Sequence, residues 1–463
     1  MTAPLTPEIC AELLATAGLP AELVDRVDLG DGRTVLPSSF RVTDAATALV
    51  GAASAAVAAL VERQEGWSPN VSVDPVGACV AFQSERHLRL REAPKLWDDL
   101  GGHYRVADGY VQTHTNFPHH RSALLTALEL PPSSDRADVE RVMERSNRFE
   151  VEAAVAAAGG ITAAMRSMDE WRAEPHAHHV AGRPPLSVTP GTGAAVRPRA
   201  VEPGRPLAGL RVLDLTRVIA GPVCARTLAA YGADVLRVGA ADLPVVDSIL
   251  PDTTLGKRFA HADITSTAGR DAIRALATDA DVVVAGFRPG ALAGHGIGVD
   301  DLLEVNPALV VAELSAFGAD GPWGGRRGFD SITQTATGIV ATEMEAFGAE
   351  SARPLPCQLL DHGSGFLLTL GVLGALVRAA DEGGGQRVDA TLLTTRTWLE
   401  SLGPGQQEAD VPLTEEHVDR YTTTRDSVFG PMRHALHPGE IEGVPAMWDI
   451  GPTTPGADQL AWR

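Results

Sequence analysis

The chain has 463 residues, with 39 Lys plus Arg against 59 Asp plus Glu and a formal net charge of −20. Such a length admits two or three domains, and the negative balance argues against nonspecific nucleic-acid binding or attraction to an anionic membrane surface. Cys10, Cys79, Cys224 and Cys357 are too scattered for a metal site or a disulfide scaffold, and no stretch reads as a bilayer span or a secretory leader. A cytoplasmic protein with reduced, buried thiols and no metal is therefore expected.

In chain order, a helix is predicted after Thr6-Pro7, then a turn-rich segment to Gly32. Asp44 to Glu62 is alanine-rich with apolar residues at helical spacing, which predicts a helix buried on more than one face. Val71 to Leu88 reads as a short strand followed by a helix. Tyr104 to Thr113 has a hairpin pattern, with Asp108-Gly109 at the turn. Helices are expected over Pro118–Leu128, Val139–Ala158 and Thr162–Arg172. The Pro-, Gly- and His-rich stretch 174–204 reads as a linker.

The following region carries the clearest pattern. Arg211-Val-Leu-Asp-Leu-Thr216 reads as a strand, Gly221-Pro222 as a turn and first helical position, Cys224–Tyr231 as a helix, and Asp234–Val238 as the next strand. This is a βαβ unit, and the short apolar runs Asp281–Ala285 and Asn306–Leu314 fit further interior strands. Residues 244–257 read as loop, Ala268–Thr278 and Asp330–Glu343 as helices, and His362–Ala380 as a long apolar helix. The tail from Pro404 is expected to wrap over the rest. The predicted class is α/β, a Rossmann-like open, mostly parallel sheet domain (205–400) with a smaller α+β domain (75–173), preceded by a helical segment (1–74) and followed by a wrapping tail (401–463).

An internal echo accompanies this order. Val73-Asp74 and Val388-Asp389 each follow an alanine-rich helix and a glycine-containing turn, and Asp44 precedes the first at nearly the spacing at which Asp361 precedes the second. A degenerate partial duplication accounts for this, although alanine-rich helices also resemble one another.

Asp361, at the start of the long helix and followed by Gly363 and Gly365, suits a cap as well as a nucleophile. A carboxylate attacking a thioester would form a mixed anhydride and release a thiolate. Arg217 and Arg288 follow strands, at the edge where open α/β sheets bind ligands, and Lys257-Arg258 lies in a turn-rich region. Together they would make a positive site for a phosphorylated cofactor, while each alone also suits a surface ion pair. His119-His120 and His176, His178 and His179 lack paired ligands at diagnostic spacing, so a polar loop explains them better than a metal. No GxGxxG follows the first strand, which disfavours a dinucleotide.

Leu207 to Pro222, Gly232 to Arg237, Ala280 to Val284 with Phe287-Arg-Pro-Gly290, and Asn306 to Val310 closely resemble the class III CoA-transferases, a family that also holds α-methylacyl-CoA racemases. Ser315 to Trp323, Gly328 to Gly338 and Gly383 to Leu393 continue the resemblance, which covers about 205 to 395. The resemblance implies Asp361 as the nucleophile, with Arg217, Ala220, Gly221, Pro222, Lys257, Arg258 and Arg288 in the region that holds CoA. No tightly bound cofactor is implied; coenzyme A enters as part of an acyl-CoA substrate, with a carboxylic acid as its partner. The racemase branch has a histidine next to the position of Phe329, so Phe329 here argues for transfer. Residues 40 to 195 resemble the small domain and return segment that normally follow the aspartate, so they read as a displaced partial copy with Asp44 as the counterpart of Asp361. Family members are interlocked dimers, and a homodimer is expected. A racemase and a catalytically inactive CoA-thioester-binding protein are the alternatives.

Overall fold

The computed structural model describes residues 5–92, 95–197, 199 and 201–463. Residues 1–4 of the expected N-terminal segment and 198 and 200 of the expected linker lie outside the described residues.

The strands read from the βαβ pattern form Arg211–Leu215, Asp234–Gly239, Val282–Ala285 and Val310–Ser315, within a seven-stranded sheet. From edge to edge the order is Leu186–Thr189, Arg387–Thr391, Val310–Ser315, Val282–Ala285, Arg211–Leu215, Asp234–Gly239 and Lys257–His261. Neighbours run parallel, except that Leu186–Thr189 is antiparallel to Arg387–Thr391. Among the described residues there are three smaller sheets, one of which includes the expected hairpin Gly102–Val106 and Gly109–Thr113. The class is α/β, with sheets that are mixed when the whole chain is considered.

Several sequence expectations shift, each for a local reason. Val139–Ala158 is two helices, Arg136–Met143 and Arg148–Ala157, because the Asn147 side chain caps the second by accepting from Phe149 N and Glu150 N. Thr162–Arg172 is a strand, Thr162–Ala164, followed by a helix, Met168–Ala173, capped by Ser167. Gly338, at φ +85°, divides Asp330–Glu343 into Asp330–Ala336 and Ile339–Ala346. The stretch 174–204, expected to be unstructured, contributes the helix Pro175–Val180 and an edge strand of the main sheet. Lys257, expected to end a loop over 244–257, instead opens the opposite edge strand, Lys257–His261, whose pairing is satisfied only in the folded sheet.

The core is organised around two helices, Val42–Glu65 and Leu359–Glu382, each 24 residues long. Both are long and apolar enough to cross a bilayer, unlike the sequence expectation, but they pack against each other inside the protein. Their entries are nearly superposable: Arg41 at φ −79°, ψ 60° and Gln358 at φ −80°, ψ 62° precede Asp44 and Asp361, each the third helical residue. Asp361 is therefore not the cap of its helix. Gly365 lets this helix meet Ala220–Ala230, since a Cβ there would lie 2.6 Å from the Ala220 carbonyl oxygen. From the tail, Trp448 Nε1 donates to Arg226 O at 2.9 Å and Trp462 Nε1 to Leu276 O at 3.0 Å. All four cysteines are buried and free.

Candidate active site

Arg211–Leu215, Val282–Ala285 and Val310–Ser315 are adjacent and parallel, so their carboxyl ends open on one edge of the sheet. Arg217, Arg288 and Ser315 follow or end these strands and line a cavity of about 330 Å³. Phe117, His119 and His120 of the smaller α+β part form another wall, Arg327 and Phe329 of the glycine-rich loop a third, and Asp361 opens onto the same space.

The turn after the first strand is strained. Val218 has φ +70°, a region that β-branched residues rarely enter, and it lies between Arg217 and the helix entry at Ile219. Gly221 sits behind this turn because any Cβ would collide with the Thr216 side chain. The strain is thus held between a buried strand end and a helix that cannot retreat.

Asp361 is 6% exposed. Its backbone N–H donates to Asp330 Oδ2 at 3.0 Å, and the other oxygen of Asp330 accepts from Gln334 Nε2. Burial and the neighbouring carboxylates of Asp330 and Glu85 push the Asp361 carboxyl well above the ordinary range, and burial likewise raises Asp330. Next along the helix, His362 Nε2 lies 3.0 Å from Glu85 Oε2, a buried contact supplied by the N-terminal part of the chain.

The cations around the cavity are guanidinium groups. Arg217 lies over the rings of Phe117 and Phe287, at 5.4 and 5.8 Å from their centroids. Neither Arg217 nor Arg288 has a carboxylate partner among the described residues, and Arg327 donates to Gly159 O at 2.7 Å. Burial lowers the pKa of Arg217 but a guanidinium remains charged. His120 is pushed down to about 3 by burial, reinforced by His119, His114, Arg327 and Arg217, so its imidazole is neutral at pH 7.

Of the residues singled out from the sequence, Asp361, Arg217, Ala220 and Arg288 come together at this cavity. Gly221 and Pro222 are buried behind it. Lys257 and Arg258 do not reach it. Lys257 Nζ is fully buried, 2.8 Å from Asp214 Oδ2 and 3.0 Å from Pro222 O, and Arg258 pairs with Asp234 at 2.9 Å. Alternation along an edge strand turns the two to opposite faces, where Arg258 meets Asp234 on the adjacent strand and Lys257 reaches Asp214 on the strand beyond it. Asp44, the counterpart of Asp361, accepts from Thr6 Oγ1 at 2.7 Å and Arg41 Nε at 2.8 Å and lies outside the cavity.

Sequence reasoning missed Arg327, Asp330 and the placement of His119 and His120. A paired arginine in a glycine-rich loop was the available signal for the first. No signal pointed to the others, because their roles depend on chain segments far apart. No group of three His, Cys, Asp or Glu side chains placed to hold a metal occurs among the described residues.

A carboxylate and three guanidinium groups without carboxylate partners among the described residues, Arg217, Arg288 and Arg327, lie at the carboxyl edge of an α/β sheet, an arrangement suited to an anionic ligand, while the fourth arginine, Arg326, pairs with Glu152. Residues 207–428 match CoA-transferase family III. The chain is 32% identical to the acetyl-coenzyme A transferase nodX of Hypoxylon pulicicidum over 46% of this chain and 37% of the relative. It is 32% identical to an acyl-CoA transferase of Fusarium pseudograminearum over 42% and 46% of the two chains. With a formyl-CoA:oxalate CoA-transferase of Rhodopseudomonas palustris the identity is 33%, over 40% and 46%. The matches span less than half of each relative's length.

Proposed function

We propose that the protein is an acyl-CoA:carboxylate CoA-transferase in which Asp361 is the acyl acceptor. The observation that carries this reading is a buried carboxylate opening onto the same cavity as Arg217, Arg288 and Arg327, in a stretch that matches CoA-transferase family III. An Asp361 oxygen would attack the thioester carbonyl carbon, the C–S bond would break, and CoA would leave as a thiolate. The product is an aspartyl-acyl anhydride; the thiolate would then attack its aspartyl carbonyl carbon, releasing the first acid as a carboxylate and leaving CoA as a thioester on Asp361. An incoming carboxylate would displace the thiolate to form a second anhydride, which the thiolate cleaves at the new acyl carbon to give the new thioester and free Asp361. Negative charge moves from the aspartate to the thiolate, so no proton donor is required.

The arginines would hold the phosphates of CoA, leaving the thioester end near Asp361. Residues of the 75–173 segment line this cavity together with those of 205–400, which supports reading the N-terminal part as a displaced copy completing the site within one chain. The matched entry geometry of the Asp44 and Asp361 helices supports the same reading. A cytoplasmic setting and a homodimer accord with family resemblance.

Intact-mass measurement after incubation with a panel of acyl-CoA thioesters tests the proposal. An acyl or CoA adduct on the wild type, absent from folded Asp361→Ala, is expected; equal adduct formation in both would overturn it.

A further inference from the structure

Asp361 faces two spaces. Beside the larger cavity lies a crevice of about 20 Å³, little more than the roughly 10–15 Å³ that one water needs. Asp361, Val218, Ile219 and Phe329 line both spaces, so they form the boundary between them. An acyl-CoA whose carbonyl carbon reaches Asp361 from the arginine-lined side, with its thiol arm in the large cavity, can direct its acyl substituent into the crevice.

The crevice is polar in an unusual way. His114 is 5% exposed, and its ring stacks on Phe329 with centroids 3.7 Å apart and planes 10° apart, which fixes its orientation. Its Nδ1 is enclosed and has no hydrogen-bond partner among the described residues. Ser331, in the first turn of Asp330–Ala336, has an enclosed Oγ that also lacks a partner. Asn116, on the same crevice, is by contrast committed: its Oδ1 accepts from Asp98 N at 3.1 Å and its Nδ2 donates to Leu96 O at 3.2 Å. Enclosed polar atoms without partners are costly, each by about 1–3 kcal/mol, unless a ligand or water satisfies them. The imidazole is neutral at pH 7 because burial pushes it down to about 3, so it offers a hydrogen bond without a charge.

We propose that this crevice is the acyl subsite, and that His114 and Ser331 select short acyl groups of two or three carbons carrying a hydroxyl or carboxyl oxygen. The size excludes a long alkyl chain. The two open polar groups favour an oxygen on the carbon next to the thioester carbonyl or one further along, where it reaches both. Apolar pockets discriminate weakly against an added hydroxyl, whereas a site built to bond it rejects the analogue that lacks it.

The inference rests on reading Asp361 as the acyl acceptor, and its test separates the two. Affinities for hydroxyacetyl-, acetyl- and octanoyl-CoA are measured on Asp361→Asn, which binds without turnover, and adduct formation with the same thioesters is measured on the wild type. Hydroxyacetyl-CoA is expected to be preferred over acetyl-CoA by about tenfold or more, and over octanoyl-CoA by more than about a hundredfold. His114→Phe, which keeps a ring against Phe329, and Ser331→Ala are each expected to reduce the hydroxyacetyl-to-acetyl ratio by about tenfold. A ratio that neither variant moves, or octanoyl-CoA handled as well as hydroxyacetyl-CoA, would overturn the subsite and leave the crevice as a water site. Discriminating affinities on Asp361→Asn without any wild-type adduct would uphold the subsite and overturn the acyl-acceptor reading. Failure of every thioester to bind would overturn both.

Discussion

The backbone N–H of Asp361 donates to Asp330 Oδ2 at 3.0 Å, across a separation of 31 residues. The contact fixes the start of the long helix and sets a second carboxylate beside the one proposed to react. Both groups are buried, and the Asp330 carboxylate makes ionisation of Asp361 harder, while the Asp361 N–H partly offsets the cost of burying Asp330.

The first prediction follows from that coupling. A nucleophilic carboxylate must be ionised, and Asp361 is held above the ordinary aspartate range. kcat/KM is therefore expected to rise with pH along a limb lying above about pH 4, the unperturbed value. Asp330→Asn keeps an acceptor for the Asp361 N–H but removes a neighbouring charge, so the limb should move to lower pH. A pH profile of both proteins checks this; an unmoved or upward-shifted limb contradicts the coupling.

Arginine and lysine positions should separate cleanly by what they damage. Arg327→Met removes a cation at the cavity and is expected to raise the KM for an acyl-CoA by about tenfold to a hundredfold, as for a lost charge-assisted hydrogen bond. Lys257→Met leaves the buried carboxylate of Asp214 without its ion-pair partner and should cost about 3–5 kcal/mol of stability. Urea unfolding and initial-rate kinetics on both variants distinguish the two roles.

Val218→Gly should trade stability against activity. Relief of the φ +70° backbone is worth about 1–3 kcal/mol, against about 0.5–1 kcal/mol for the greater freedom of glycine when unfolded. The melting temperature is expected to hold or rise. kcat/KM should fall, because one of the four side chains that separate the cavity from the crevice beside Asp361 is lost. Calorimetry and kinetics on one preparation test both halves.

Asp44→Ala is expected to leave transfer within about twofold of the wild type. Its carboxylate is taken up by Thr6 and Arg41 and does not line the cavity, so the loss should be structural, at about 1 kcal/mol for hydrogen bonds of this kind. A large fall in activity with unchanged unfolding would instead make Asp44 a second functional carboxylate.

Much of this architecture was legible from local pattern. The strand at Arg211–Leu215, the helix carrying Asp361, the hairpin at Asp108-Gly109 and the cavity arginines Arg217 and Arg288 were all readable, because periodicity, turn residues and the ends of apolar runs are properties of neighbouring residues. The resemblance at 205–395 singled out Asp361 on the same basis. Lys257 and Arg258 were misplaced because their partners, Asp214 and Asp234, lie on other strands, and only sheet pairing decides whether a basic residue faces a ligand or a buried carboxylate. The same holds for His114, His120, Glu85 and Asp330, which approach Asp361 from elsewhere in the chain. Sequence alone thus determined which segments form the scaffold and which aspartate stands at its edge. Tertiary packing decided which charges remain open, that burial and neighbouring carboxylates raise the Asp361 carboxyl, and how little room lies beside it, because each depends on long-range contacts and desolvation.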